Sequence, residues 1–406
     1  MLSFFKKLGP GLLFAGAAIG VSHLVQSTRA GADYGFGLLW ALLLIHFIKY
    51  PFFQFAPRYT TATGENLIDG YRRLGKPILI LYFVLTLVTM FTIQAAVTIV
   101  TAGLAVNLFG LTNNVLIWSI VILVISVFIL YKGRYGFLDR LIKIIVIILT
   151  LSSIIAVVVA AFQTNSAISW IPSIPEGTIE VGFLIAFLGW MPAPLDVTIW
   201  QSIWTQEKQK SIGTTFDTPQ AIFDFNTGFM TTILTGILFM GLGTFVLFQS
   251  GESLSPKAGV FANQLIDLYS INLGNGMGWI VGVAALTAMF STTLTALDAS
   301  PKAMVKTTEL LTNKPHKHPY LFWLLILTFG TIIILAFFTS SMGTMIKVAT
   351  IVSFLTTPFY AIANLWLVSS KHMPFEWQPS LFLKIWSVIS IILLIGFSFW
   401  YLSVLL

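Results

Sequence analysis

The chain has 406 residues, 57% of them hydrophobic and only 9% charged, with a mean hydropathy of +0.90. Soluble domains carry about 25% charged residues, so this composition excludes one and fits a polytopic helical membrane protein with short loops. With no cysteine, a disulfide framework, an iron–sulfur centre and a thiol nucleophile are excluded as well.

A bilayer-spanning helix needs about 20 apolar residues. Apolar runs separated by charge and turn residues predict eleven spans, at 9–30, 36–56, 77–108, 113–131, 137–162, 180–204, 222–249, 276–298, 319–340, 343–369 and 380–404. Together they make one transmembrane domain over 1–406. Lys6 and Lys7 lead directly into the first span, whose small residues do not resemble a signal core followed by a cleavage site.

The net charge of +7 suggests nucleic acid at first sight, but topology accounts for it. Cytoplasmic loops of membrane proteins are rich in Lys and Arg. With the N-terminus inside, the inner segments hold 18 of the 22 basic residues: Lys6, Lys7, Arg58, Arg72, Arg73, Lys76, Lys132, Arg134, Arg140, Lys143, Lys208, Lys210, Lys302, Lys306, Lys314, Lys317, Lys371 and Lys384. The outer segments 109–113, 163–179 and 405–406 hold none, and only Arg29, Lys49, Lys257 and Lys347 fall elsewhere. The expected placement is a multi-pass protein of the inner (cytoplasmic) membrane, N-terminus inside and C-terminus outside. The basic loops then anchor beside anionic lipid, and a nucleic-acid partner loses its support.

Two spans read as broken. Gly16 to His23, GAAIGVSH, puts two glycines and a histidine in the first span, and Gly189 to Asp196, GWMPAPLD, puts two prolines and an aspartate in the sixth. Proline in a helix interior removes a donor and clashes one turn back, at about 3 kcal/mol. Broken backbone is tolerated in a bilayer only where it faces protein or a water-filled cavity. Either break alone reads equally well as a packing kink. The pair, five spans apart, points to an inverted-repeat transporter with its site at mid-depth.

Several segments carry a family resemblance: GPGLLFAG (Gly9–Gly16), RAGADYGFGLLW (Arg29–Trp40), ATGENLIDGY (Ala62–Tyr71), NLFG from Asn107, Met191–Pro192, FDFNTGF from Phe223, FSTTLTALD (Phe290–Asp298) and TTPFYA (Thr356–Ala361). Through them, from the first span to about the tenth, the chain resembles the Nramp family of divalent-metal transporters. The resemblance implies an all-α fold of the LeuT type. Its two five-helix inverted repeats would cover about 9–162 and 180–369, with helices 1 and 6 broken and an extra helix at 380–404.

The chemistry departs from that family at three places. The family's first-span DPGN, which grips the metal, is here Gly20, Val21, Ser22 and His23. Its sixth-span MPH is here Met191, Pro192 and Ala193, with Leu188 in the place of the carbonyl ligand. The third-span acids tied to proton movement fall near Gln94 and Val97, so proton coupling as the family does it is not expected.

The candidate metal site is therefore assembled from what remains. His23 offers an imidazole, the commonest metal-binding side chain, although most lone histidines in membrane helices bond a neighbouring carbonyl. Met191 offers a soft thioether, although methionine usually packs. Asp196 is the carboxylate close to a break, and a buried charge there costs roughly 2.5–3.5 kcal/mol without a partner or purpose. It contacts the cation, stabilises the N-terminus of the second half-helix, or pairs with Arg29 or Lys49. Carbonyls of Gly20 and Leu188 and hydroxyls of Ser22 and Thr356 would complete the set. His46 reads as a capping or packing residue, and the Ser291–Thr295 run as bonding its own backbone.

No HExxH or GxxxxGK[ST] pattern occurs in the sequence, so neither a zinc hydrolase nor direct ATP drive is expected. The expectation is a non-enzymatic secondary transporter that works as a monomer. It would have no resident cofactor, its substrate a divalent cation of manganese, iron or magnesium type moved by alternating access. The alternatives are a LeuT-fold carrier of a small organic substrate such as an amino acid, and a membrane sensor that keeps the fold without transport.

Overall fold

A computed structural model describes residues 9–132, 135–163, 169–212, 216–248, 254–273, 275–314, 318–338 and 342–405. Of the basic residues placed in inner segments above, Lys6, Lys7, Arg134 and Lys317 lie outside them.

The described chain is helical from end to end. The first span is a pair, α1 (Pro10–Ala18) and α2 (Ser22–Tyr34), bent by 47° at the intervening residues. Then come α3 (Leu39–Thr63), α4 (Leu67–Leu74), α5 (Lys76–Phe109), α6 (Val115–Lys132) and α7 (Tyr135–Gln163). The sixth span is again a pair, α8 (Gly177–Trp190) and α9 (Val197–Ile212), with residues 191–196 outside any helix. The remainder is α10 (Thr218–Val246), α11 (Ala258–Leu273), α12 (Asn275–Thr312), α13 (Pro319–Phe338), α14 (Met342–Ser369) and α15 (Leu381–Leu405). The eleven predicted spans each find their helix or helix pair.

Two helices were not foreseen. The short α4 has apolar residues on one face only, and Asn66 caps it by accepting from the amides of Ile68 (3.0 Å) and Asp69 (3.2 Å). Its polar content hid it from a search for 20-residue apolar runs. The second is α11, between the seventh and eighth spans. The eighth span also runs on as one helix through Pro301 to Thr312, well past the predicted end at 298. Ser300, Ala303, Met304 and Thr307 are buried there, so packing holds the extension.

Long lipid-facing helices such as α13 and α15 expose large apolar side chains, Phe329, Ile333, Ile389 and Ile392 among them, as a bilayer requires. The broken pairs do the reverse: every residue from Trp190 to Gln201 is buried, as irregular backbone at membrane depth must be. Close approach of α1 to α10 depends on glycine. A Cβ on Gly228 would strike the backbone of Gly11, so both must be bare for the helices to touch.

The basic segments gather at one end of the bundle. There Lys302 lies 2.8 Å from both Asp298 and Glu207, Lys306 lies 2.7 Å from Asp69, and Arg58 donates to the Trp377 carbonyl. The two lysines tie α9, α12 and α4 together, and Arg58 ties α3 to the α14–α15 connection.

Candidate functional site

The first helix pair is held by α10. Pro10 has no N–H, and the amides on either side, of Gly9 and Gly11, are both accepted by the Asp224 carboxylate at 2.9 and 2.7 Å. An anion at a helix N-terminus complements the dipole, and proline at the first helical position removes a donor that would otherwise be left over. This carboxylate was not anticipated; a charge three residues into an apolar span was the signal available.

At the α1–α2 break the chain satisfies itself. Ser22 Oγ donates to the Ala18 carbonyl (2.7 Å) and reaches across to the Pro192 carbonyl (3.3 Å). His23 is fully buried. Its Nδ1 lies 2.7 Å from Ser22 Oγ and 3.0 Å from the Ala18 carbonyl, and its Nε2 lies 3.0 Å from the Thr232 carbonyl of α10. Both ring nitrogens are thus directed at protein oxygens.

Gly20 differs from its expected part. Its carbonyl accepts from the amides of His23 (3.2 Å) and Leu24 (2.9 Å), opening α2 rather than standing free. A Cβ on Gly20 would lie 2.8 Å from Thr292 Oγ1. The space a carboxylate would need is filled by a threonine of α12, which itself donates to the Gly16 carbonyl.

At the α8–α9 break the partner comes from elsewhere. The Lys49 ammonium, fully buried in the middle of α3, donates to the carbonyls of Leu188 (2.8 Å), Gly189 (2.7 Å) and Ala193 (3.1 Å). The Leu188 carbonyl, expected to face an ion, faces this lysine instead. Met191 is buried in extended backbone at the end of α8. Asp196 immediately precedes α9; it is buried, and its Oδ1 has no hydrogen-bond partner among the described residues.

Between the two breaks lies a small cavity of about 30 Å³, lined by Ser22, Val97, Trp190, Ala193, Trp200 and Thr292 among others. That volume admits one or two water-sized species. Trp190 is fixed at its wall by donating to Ser353 Oγ at 2.9 Å. Of the predicted site residues Ser22 lines this cavity, while His23, Met191, Gly20, Leu188 and Asp196 sit around it without lining it. Thr356 is half-buried on α14 and donates to its own helix at Ser353.

Nearby, Gln94 donates to Thr98 Oγ1 (3.2 Å) and the Thr293 carbonyl (3.3 Å), joining α5 to α12. His46 bonds the Leu42 carbonyl and packs edge-on against Phe229, a packing role as predicted. Among the described residues no three His, Asp or Glu side chains converge to hold a metal ion.

On the side away from the basic rim, a hollow of about 270 Å³ is lined by Gln26, Arg29, Phe183, Thr344 and Lys347. Two of these side chains are cationic. Arg29 reaches the Leu254 carbonyl at 3.5 Å.

Comparison with known proteins bears on this geometry. The model of the family described as natural resistance-associated macrophage protein-like, Nramp, matches residues 11–403. An uncharacterized protein of Pasteurella multocida is 33% identical over 373 residues, 90% of this chain and 86% of that protein. A divalent metal cation transporter, MntH, of Staphylococcus aureus is 26% identical over 258 residues, 61% of this chain and 56% of that protein. Among solved structures, a manganese transporter of Eremococcus coleocola superposes with a TM-score of 0.73 at 13% identity, covering 98% of this chain and 86% of that one. At that identity the likeness speaks for the fold alone, which is of the LeuT type.

Proposed function

We propose that this chain, which belongs to the Nramp family, is a secondary transporter moving a divalent metal cation across the cytoplasmic membrane by alternating access. It is a multi-pass membrane protein of a transporter family and not an enzyme. The observation that carries the reading is the meeting of two interrupted helices on one small, ion-sized cavity at Ser22 and Ala193. Half-helix ends and unwound carbonyls at mid-depth are how such folds coordinate an ion. The gathering of basic residues at one end supports a cytoplasmic N-terminus and an outward C-terminus. We take the working unit to be the monomer, its two repeats running over about 9–162 and 180–369.

Here the ion would be held differently from a carboxylate-rich site. The Met191 thioether, the hydroxyl of Ser22, and carbonyls at the two breaks are the donors within reach of small rearrangements, with Asp196 supplying the nearest buried negative charge. His23, Gly20 and Leu188 would join only by exchanging the bonds they now make, and Thr356 only by leaving its own helix. With Gln94 and Val97 on α5 in place of acids, transport is expected to run on membrane potential with weak or no proton coupling.

A second reading has one observation in its favour. The hollow bearing Arg29 and Lys347 and a cavity without a carboxylate on its wall suit a small organic acid, such as an amino acid, better than a dication. The deciding experiment is uptake into vesicles with manganese, iron and magnesium beside a panel of amino acids, for the parent and for Met191→Ala, Asp196→Ala and Ser22→Ala. Saturable manganese or iron uptake that Met191→Ala or Asp196→Ala lowers at least tenfold supports the metal reading. Amino-acid uptake without metal uptake overturns it.

A further inference from the structure

We infer that Lys49 is a built-in cation: its ammonium takes the carbonyl cradle at the α8–α9 break and keeps free monovalent cations out of it. The inference deepens the reading above by saying which cation occupies one half of the transporter's core.

The geometry suits an ammonium. Three carbonyl oxygens, of Leu188, Gly189 and Ala193, lie 2.7–3.1 Å from Lys49 Nζ. A neutral amine has two N–H donors and an ammonium has three, so the three acceptors in bonding distance pair one to one with the N–H groups of the charged form. Two of the oxygens belong to the last residues of α8, where the helix dipole is negative and the final carbonyls have no intrahelical partner. The third belongs to the non-helical segment. Such a cradle, with Asp196 as the acidic group whose field reaches it, is what a dehydrated monovalent cation would otherwise occupy. The fixed ammonium supplies the charge and all three donors without an ion being drawn from water. His46 is the other titratable group in its field; it is fully buried on the same helix and contributes no negative charge.

Removing the ammonium should therefore create a site. In Lys49→Met a side chain of similar length keeps the packing, while three carbonyls and the Asp196 carboxylate lose their counter-charge. Sodium should enter. The purified full chain in lipid nanodiscs is melted in sodium chloride and in choline chloride at equal ionic strength, which reads the cradle whether or not the protein carries metal. The parent and Lys49→Arg should melt alike in the two salts. Lys49→Met should gain roughly 2 °C or more in sodium, saturably. If Lys49→Met is too unstable to purify, its recovery in sodium against choline is the readout, and better recovery in sodium supports the inference. Sodium-independent melting or recovery of Lys49→Met overturns it, and so does a sodium-stabilised parent.

Discussion

In the first break the carbonyl of Ala18 is met by Ser22 and His23, four and five residues further along the same chain. In the second the carbonyls of Leu188, Gly189 and Ala193 are met by an ammonium 139 to 144 residues away in sequence. Both arrangements meet the same requirement, that a buried carbonyl freed from its helix find a donor. The first is a mostly local solution, tightly packed against α10, with no space left at Gly20. The second is a tertiary solution carrying a full charge, with an unpartnered carboxylate oxygen of Asp196 beside it. The first break is thus closed from within its own neighbourhood, and the second by a charge brought from α3.

That contrast can be broken by substitution, and the largest effect should come from the contact that seats the first pair. Gly228→Ala puts a methyl into the Gly11 backbone, and since neither helix can yield cheaply it should cost about 3 kcal/mol. Loss of the monodisperse protein peak, or a large fall in melting temperature, is the expected result. Asp224→Ala should follow, at about 2–3 kcal/mol, because it strips two buried amides of a charged acceptor. Its melting temperature should fall, with sodium response unchanged.

A middle-sized effect sharpens the division of roles. His23→Ala should lower stability by about 1–2 kcal/mol through lost bonds and a small void, yet leave the apparent affinity for manganese within about twofold. A tenfold loss of affinity at unchanged melting temperature would instead place His23 on the ion. Asp196→Asn is the complementary variant, expected to lower manganese uptake several-fold with a smaller change in stability.

The smallest effect lies outside the membrane core. Glu65 accepts two bonds from the Arg73 guanidinium, one of them 2.7 Å long, and this holds its carboxyl below the usual glutamate range. A carboxyl whose folded pKa is lowered contributes stability above its unfolded pKa, near about 4, and loses it as pH falls through the folded value. The pair is exposed, so the contribution is about 0.5 kcal/mol. The melting temperature of Glu65→Gln should sit slightly below the parent at neutral pH and converge with it in acid.

The pattern of spans was legible because lipid imposes it. Only runs of about 20 apolar residues can cross, and Pro192, Pro194 and Gly20 mark where the backbone cannot continue. The side-chain partners were not legible, for a reason visible at Lys49. A lysine in the middle of an apolar span announces that something must accompany it, but nothing in the order of residues says whether that partner is Asp196, a lipid headgroup or a carbonyl. His23 shows the converse. It stands at a family ligand position, but the Thr232 carbonyl that engages its Nε2 lies 209 residues away.

By itself, then, the sequence determined the order of the long apolar segments, the two interruptions and the segments that carry the basic residues, because hydropathy, proline and charge act locally along the chain. Only the tertiary structure decided which groups meet at the interruptions: Asp224 on the first helix, Thr292 in the space beside Gly20, Lys49 on the carbonyls of α8. Hydrogen bonds in a dry interior are settled by which surfaces pack together, and α3, α10 and α12 bring those groups to the core from distant parts of the chain.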